Sequence, residues 1–345
     1  MSIRVLVVDD SQLIRDVLSR SLVRDGDIEV VGTAAEPQEA RQKIKELNPD
    51  VVTLDIEMPN MNGLAFLDRI MRLRPTPVVM VSTLTGKGAG ETLLALELGA
   101  VDFVQKPNRQ SGTGLQDFGE DVREKVRTAA QSNVRPRAIV PKLPIKTAAA
   151  PEGALIAIGA STGGVEAIRA ILCDLPADCP PVVIAQHMPA GFTSRFAARL
   201  DELSPLTVHE VTDGAELLVG HAYVAPGDWH FRVENKRSKL RAALAQDDPV
   251  SGHRPSVDVL FESVARDAPD LAVGVILTGM GGDGARGLKL MRDAGCHTLG
   301  QSPASALVYG MPRVAFEMGA VAEQAPLEAM PGRIAAALTK LRNAA

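Results

Sequence analysis

The chain has 345 residues, enough for about two domains that each bury a core of their own. Hydrophobic residues make up 46% and charged residues 23%, which excludes a disordered or fibrous protein, and the net charge of −5 argues against nucleic acid as a partner. No apolar run reaches the ~18 residues of a membrane span, so direct membrane insertion is not expected. The three cysteines show no metal-site spacing and fit a reducing compartment. We therefore expect a cytoplasmic protein.

Residues 1–106 predict a parallel α/β domain. Short apolar runs alternate with segments whose apolar positions recur every three or four residues, a pattern typical of strands alternating with helices. The runs are Ile3–Val8, Ile28–Val31, Val51–Leu54, Val78–Val81 and Val101–Val104. The first helical segment carries one apolar stripe that is expected to lie in the core: Leu13, Ile14, Val17, Leu18 and Leu22.

Polar side chains stand where these strands end. Asp9 and Asp10 follow the first strand and Asp55 ends the third, so three carboxylates should meet at the carboxyl edge of the sheet. Mg²⁺ suits such a cluster, and Asp55 can itself accept a phosphoryl group. Ser82 ends the fourth strand and Lys106 follows the fifth, where both can contact the phosphoryl oxygens. A single Asp is usually a cap or a surface charge, but five such residues at one edge favour a site.

The segments VLVVDDS, LDIEMPNMNG, VVMVSTLT and DFVQKP resemble the receiver domain of two-component response regulators. This resemblance implies a flavodoxin-like (βα)5 fold and phosphorylation of Asp55 by a histidine kinase. It also implies that Asp9, Asp10 and Asp55 hold Mg²⁺.

The same resemblance assigns roles to residues near the phosphoryl group. Ser82 and Lys106 would contact it, and Thr83 is the alternative hydroxyl. Phe103 stands where many receivers carry the aromatic residue of the switch.

Residues 107–150 predict the last receiver helix followed by an inter-domain connector. Leu115–Ala130 has apolar positions at helical spacing. The sequence after it mixes Pro, Ala and basic residues without periodicity, as exposed connectors do. Residues 151–345 then form a second, larger domain.

The sequence of the second domain predicts a doubly wound α/β fold with a parallel sheet. Ser161 is the candidate nucleophile of this domain. The run Leu155–Ile158 leads through Gly159-Ala160-Ser161-Thr162-Gly163 into helical periodicity. Such a turn presents a serine hydroxyl above the sheet edge. A simple βα turn or a phosphate cradle explains the glycines equally well. A nucleophilic serine also requires a base and a group that orients it.

Two further strand ends supply these groups. His187 follows the run Val182–Ala185, and Asp283 lies in the glycine-rich segment after Ala272–Leu277. Ser161, His187 and Asp283 should therefore meet at one sheet edge as nucleophile, base and orienting carboxylate. His253, in a polar loop, is the second choice for the base.

Two main-chain N–H groups are predicted to stabilise the oxyanion. In a serine turn of this kind, the residue after the nucleophile supplies one N–H, which here is Thr162. Met280 is the second predicted donor.

The segments GASTGG, QHMP, HRPSVDVLF and LTGMGGDG resemble the catalytic domain of chemotaxis protein-glutamate methylesterases. The resemblance implies hydrolysis of glutamate γ-methyl esters on the cytoplasmic domain of chemoreceptors, with release of methanol. It also implies deamidation of receptor glutamines in some members, and no cofactor for the esterase. The motif residues expected in the substrate groove are His253, Arg254, Ser256 and Asp258.

Phosphorylation of Asp55 is expected to control access to Ser161. The alternative is a response regulator whose second domain only binds a ligand or nucleotide. The loop TGMGGDG could serve such a role, although it lacks the G-K-[ST] of a phosphate-binding loop.

Overall fold

The chain divides into two units, Met1–Ile139 and Val140–Ala345, each with its own parallel sheet. This computed structural model describes residues 2–58, 61–82, 86–106, 114–134 and 151–344. Thr83 and most of the predicted connector lie outside these ranges. Among the described helices, none combines the length and the apolar character needed to cross a bilayer. The predicted fold class, two α/β domains with parallel sheets, is confirmed.

In the described ranges of the first unit, a five-stranded parallel sheet is covered by five α-helices. Its strands are β1 (Ile3–Val8), β2 (Ile28–Ala34), β3 (Val51–Asp55), β4 (Val78–Ser82) and β5 (Asp102–Gln105). Its helices are α1 (Gln12–Leu22), α2 (Pro37–Leu47), α3 (Gly63–Leu73), α4 (Gly86–Leu98) and α5 (Leu115–Ala130). The strand order β2-β1-β3-β4-β5 reverses between β1 and β3, which is where open α/β sheets place a ligand.

Helix α1 buries Arg15 and exposes Leu13, which was predicted to lie in the core. Leu13 is 70% exposed, so the predicted core stripe is wrong at this position, while Arg15 is only 9% exposed. The Arg15 Nη1 donates to the carbonyl oxygens of Asp9 at 2.7 Å and Asp10 at 3.0 Å. These charge-assisted hydrogen bonds offset the cost of burying the guanidinium, and they fix the loop that carries both carboxylates.

The second unit is built on a seven-stranded parallel sheet and a separate antiparallel hairpin. The sheet strands are β6 (Leu155–Ala160), β7 (Val182–Gln186), β8 (Thr207–Glu210), β9 (His221–Val224), β12 (Ala272–Ile276), β13 (His297–Gln301) and β14 (Glu323–Ala325). The hairpin strands are β10 (His230–Lys236) and β11 (Lys239–Ala245). The helices are α6 (Gly164–Leu172), α7 (Thr193–Leu203), α8 (Val257–Asp267), α9 (Ala285–Asp293), α10 (Met311–Glu317) and α11 (Met330–Ala344).

The strand order places β6 at the centre of this sheet. The order is β14-β13-β12-β6-β7-β9-β8, so β7 lies on one side of β6 and β12 on the other. The order in which strands are added reverses at β6, since β7 to β9 lie on one side and β12 to β14 on the other, which makes the carboxyl end of β6 the expected ligand position.

Helices α8 and α9 cap each other. The Asp258 carboxylate of α8 accepts hydrogen bonds from the Gly287 main-chain N–H at 2.9 Å and the Arg286 Nε at 3.1 Å. In return, Asp283, just before α9, accepts hydrogen bonds from the first turn of α8. Each carboxylate thus satisfies N–H groups that a helix end leaves without internal partners.

The close approach of these helices requires glycine at position 287. A Cβ there would lie 2.7 Å from both the Asp258 carbonyl oxygen and the Phe261 Cβ. We expect Gly287→Ala to lower the free energy of unfolding by about 1–3 kcal/mol, because α8 must move. Chemical denaturation of both proteins measures this. Gly332→Ala is the matched control, since Gly332 is also the third residue of its helix and a Cβ there meets nothing within 4 Å. Equal destabilisation by the two changes would contradict the packing argument.

Candidate active site and phosphoryl-acceptor site

Ser161 lies on the sharp turn between β6 and α6. Gly163 has φ +79°, a left-handed conformation that favours glycine, and it caps α6 directly. The Ser161 N–H donates to the Thr278 carbonyl at 3.0 Å, and the Gly164 N–H donates to the Ser161 carbonyl at 2.7 Å. The half-buried Ser161 is therefore held beside the positive end of the α6 dipole, where a developing negative charge is stabilised.

His187 follows the strand that pairs with β6. The His187 N–H donates to the Ala160 carbonyl at 3.1 Å, so the residues after the two strands are neighbours. Gln186, which the sequence analysis did not single out, ties the two turns together. Its Nε2 donates to the carbonyl oxygens of Ser161 at 3.0 Å and His187 at 3.1 Å. The structure thus brings the predicted nucleophile and base to adjacent backbone positions.

Asp283 joins His187 to the start of α8. Asp283 Oδ2 lies 2.7 Å from His187 Nε2 and accepts the Val257 N–H at 2.7 Å. Its Oδ1 accepts the Ser256 hydroxyl at 2.7 Å and the Asp258 N–H at 3.1 Å. Burial alone raises the pKa of Asp283, but the hydrogen bonds from His187, Ser256 and Val257 outweigh it and lower that pKa from 3.8. Asp283 is therefore ionised at neutral pH.

The ionised carboxylate fixes the tautomer of His187. A carboxylate only accepts hydrogen bonds, so Nε2 must carry the proton and Nδ1 holds the lone pair. His187 Nδ1 is buried, and no group in the described part of the chain hydrogen-bonds to it, Ser161 Oγ included. Catalytic hydrogen bonds often tighten only when substrate binds. The geometry leaves Nδ1 as the nitrogen able to take a proton.

His253 stacks on the ring of His187. The ring centroids are 3.7 Å apart and the planes differ by 16°. Burial and the neighbouring His187 lower the pKa of His253 to about 4, so His253 is neutral at pH 7. The second-choice base therefore lies against the first choice and confines its ring to one plane.

The other predicted groove residues differ in placement. Arg254 is half-buried and its Nη1 donates to the Asp247 carbonyl at 2.9 Å. Ser256 and Asp258 are 0% and 1% exposed, so the expectation that they line a groove is wrong. Their side chains bind Asp283 and α9 instead, a role visible only once the two helices are in contact.

A buried histidine, His230, hydrogen-bonds to the loop that precedes α8. His230 is 0% exposed, and its Nδ1 accepts the Ser256 N–H at 3.3 Å. Its Nε2 lies 3.1 Å from the Asp248 carbonyl, to which it must donate. The sequence analysis missed His230, because nothing in its local pattern places it under the loop that precedes α8.

The loop after β12 packs directly on the serine turn. A Cβ at Gly279 would lie 2.7 Å from the Ser161 Cβ, so only glycine allows this approach. The Thr278 hydroxyl donates to the Thr162 carbonyl at 2.9 Å. Met280, which follows, is 44% exposed. The two predicted oxyanion donors, Thr162 and Met280, thus belong to loops in contact beside Ser161.

The first unit assembles the predicted acidic cluster. One carboxylate oxygen from each of Asp9, Asp10 and Asp55 lies within 4.8 Å of the others. Lys106 Nζ lies 2.8 Å from both Asp9 Oδ2 and Asp55 Oδ2. Oxygen ligands at this spacing fit a hard divalent cation.

Asp55 is a buried carboxylate with an unusually high proton affinity. It is 3% exposed, and burial raises its pKa to about 6 although Lys106 opposes the shift. Added positive charge at the cluster therefore favours the ionised form that a nucleophile needs.

Ser82 ends β4, whereas Phe103 lies near the start of β5, opposite Met80. The Lys106 N–H donates to the Ser82 carbonyl at 2.8 Å, which places those two residues side by side. The Ser82 hydroxyl is 3.0 Å from the Thr92 hydroxyl on α4. Phe103 is buried, and Lys125 Nζ lies 5.1 Å from the centre of its ring.

Comparison with known proteins identifies both units. The family model described as CheB methylesterase matches residues 156–334, and that of the response regulator receiver domain matches residues 5–112. The chain belongs to the CheB methylesterase family. A relative from Caulobacter vibrioides, named protein-glutamate methylesterase/protein-glutamine glutaminase 1, is 59% identical over 95% of this chain and 96% of its own. A relative from Xanthomonas oryzae pv. oryzae, named protein-glutamate methylesterase/protein-glutamine glutaminase 2, is 50% identical over 99% of this chain and 98% of its own.

A solved CheB structure matches the second unit. The crystal structure of the Thermotoga maritima CheB methylesterase catalytic domain is 36% identical and covers 53% of this chain and 98% of its own, with a TM-score of 0.52. The family predicted from the motifs is confirmed. Membership in the CheB family supports the esterase over the alternative of a non-catalytic output domain.

Proposed function

We propose that this chain hydrolyses glutamate γ-methyl esters on the cytoplasmic domain of chemoreceptors and releases methanol, in chemotaxis adaptation in the cytoplasm. The observation that carries the proposal is the 2.7 Å contact between His187 Nε2 and Asp283 Oδ2, which leaves Nδ1 buried and without a hydrogen-bond partner among the described residues. The names of the relatives support the substrate class and add glutamine deamidation.

The proposed reaction proceeds through an acyl-enzyme. Ser161 Oγ attacks the ester carbonyl carbon while its proton passes to His187 Nδ1, and Asp283 stabilises the imidazolium. The N–H groups of Thr162 and Met280 stabilise the oxyanion. The C–O bond then breaks and His187 returns the proton to the leaving methoxide. Water attacks the acyl-enzyme by the same route, and the glutamate carboxylate and Ser161 hydroxyl are restored. With a glutamine substrate, ammonia replaces methanol as the leaving group.

The substrate groove is proposed to run past His253 and Arg254. His253 covers one face of the base, and Arg254 is held by main-chain carbonyls near the same loop. Both flank the site without taking a proton in the reaction.

The first unit is proposed to regulate the esterase through phosphorylation of Asp55 by a histidine kinase. Asp9, Asp10 and Asp55 would hold Mg²⁺, which neutralises charge on the phosphoryl group during transfer. Lys106, already 2.8 Å from Asp55, and Ser82 would contact the phosphoryl oxygens. Asp55 is the attacking carboxylate, and burial keeps competing water away from it.

Asp55→Asn tests both halves of the proposal. We expect wild-type methanol release from methylated receptor to rise about 5- to 150-fold with a small phosphodonor and Mg²⁺, the range of typical coupling energies. Asp55→Asn is expected to keep the unstimulated rate and lose the increase, because no acyl phosphate forms. Glu46→Gln, an exposed carboxylate of the same unit, is the control and should respond like wild type. Stimulation that persists in Asp55→Asn would exclude Asp55 as the acceptor.

A further inference from the structure

A cavity in the first unit lies between α2 and α3, away from the acidic cluster. It encloses about 920 Å³, at the upper end of the ~300–1,000 Å³ typical of concave binding sites. Its apolar lining includes Ile44, Phe66 and Ile70, which are nearly buried. We call this cavity the α2/α3 groove.

The α2/α3 groove is ringed by cations. Arg41 and Lys45, four residues apart on α2, face it from one side, and Arg69 and Arg74 from the other. Among the residues that line it, all within the described part of the chain, there is no carboxylate. Arg41, Lys45 and Arg69 are exposed and form no ion pair with any described residue. This concentration of positive charge runs against the net charge of −5 of the whole chain.

The groove also carries an exposed apolar side chain. Leu73 is 76% exposed, the largest fraction among the exposed large hydrophobic residues of the described chain. Phe66, Arg69, Ile70 and Leu73 recur at i, i+3, i+4 and i+7 on α3, so they form one continuous face. Such a stripe on a helix normally marks a surface that packs against another element.

We infer that the α2/α3 groove docks an acidic amphipathic helix of a partner protein. Carboxylates on the flanks of that helix would pair with Arg41, Lys45 and Arg69, and its apolar stripe would cover Leu73 and the lining beneath. A nucleic acid or an anionic membrane would satisfy the cations equally well. Neither explains a concave apolar lining beneath them, because a membrane is flat and phosphates gain nothing from Ile44 or Phe66.

The inference is tested with the full chain and a synthetic helical peptide of about 15 residues, with a leucine stripe flanked by glutamates and a photoreactive group at one end. A second peptide carries lysine in place of each glutamate. We expect the acidic peptide to bind by fluorescence anisotropy, to crosslink to α2 or α3, and to lose at least about tenfold in affinity with Arg69→Glu or Leu73→Asp. The lysine peptide should not bind.

Arg72→Glu is the matched control, because Arg72 lies on the same helix, pairs with Asp68 and is not part of the groove lining. It should leave the affinity unchanged. Crosslinks outside α2 and α3, equal binding of both peptides, or equal loss with Arg72→Glu would overturn the inference. So would absence of binding by the acidic peptide, or binding of duplex DNA or anionic vesicles with the same dependence on Leu73.

Discussion

Ser161→Ala is expected to reduce methanol release from methylated receptor by about 10⁴-fold or more. The change removes the only atom of the site that forms a bond to the substrate carbonyl in the proposed reaction. The turn itself should survive, because its contacts are made by main-chain groups, including the Ser161 N–H to Thr278 at 3.0 Å. Circular dichroism and receptor binding should therefore remain like wild type while the rate collapses.

Ser302→Ala is the matched control for this change. Ser302 follows β13 at the same edge of the same sheet, and its buried hydroxyl has no hydrogen-bond partner among the described residues. The variant should hydrolyse substrate at nearly the wild-type rate. A serine-reactive phosphonate should label wild type and Ser302→Ala, but not Ser161→Ala. Substantial hydrolysis by Ser161→Ala would exclude Ser161 as the nucleophile.

Asp283→Asn should cost almost as much, about 10⁴-fold in kcat. An asparagine amide would donate to His187 Nε2 and so force the ring proton onto Nδ1, the atom that must accept the serine proton. Its alternative orientation keeps an oxygen toward His187 but places the NH₂ group at the Oδ1 position, against the Asp258 N–H, which now donates to the carboxylate at 3.1 Å. Steady-state kinetics with methylated receptor measure the loss.

Ser256→Ala provides the graded comparison for Asp283→Asn. It removes one hydrogen bond of 2.7 Å to the same carboxylate but leaves His187 its partner, so we expect a loss of about tenfold. Ser256→Thr retains a hydroxyl and should recover much of the rate. Equal losses in Asp283→Asn and Ser256→Ala would show that the carboxylate serves the fold and not the base.

Strand ends were predictable from the sequence, because buried parallel strands are apolar runs that stop abruptly. The predicted first strand, Ile3–Val8, agrees with β1, and Ser161, His187 and Asp283 all follow runs recognised as strands. Since parallel strands share one carboxyl edge, local pattern was sufficient to bring these three residues together.

Contacts between distant helices were not predictable in this way. Because Ser256 and Asp258 are polar, the sequence suggested that they line a solvent-exposed groove. Both are buried instead, because α9 and Asp283 supply hydrogen-bond partners for them. Arg15 likewise replaces Leu13 in the interior because the carbonyl oxygens of a neighbouring loop solvate it. Burial of a polar side chain depends on partners that periodicity does not reveal.

The mutual capping of α8 and α9 makes one carboxylate serve two purposes. Asp283 orients the imidazole and also closes the first turn of a helix whose other contacts reach deep into the core. Variants in this capping network should therefore lose thermal stability together with activity. Efforts to alter the proposed substrate preference have more freedom at the exposed Met280, because its side chain takes no part in this capping.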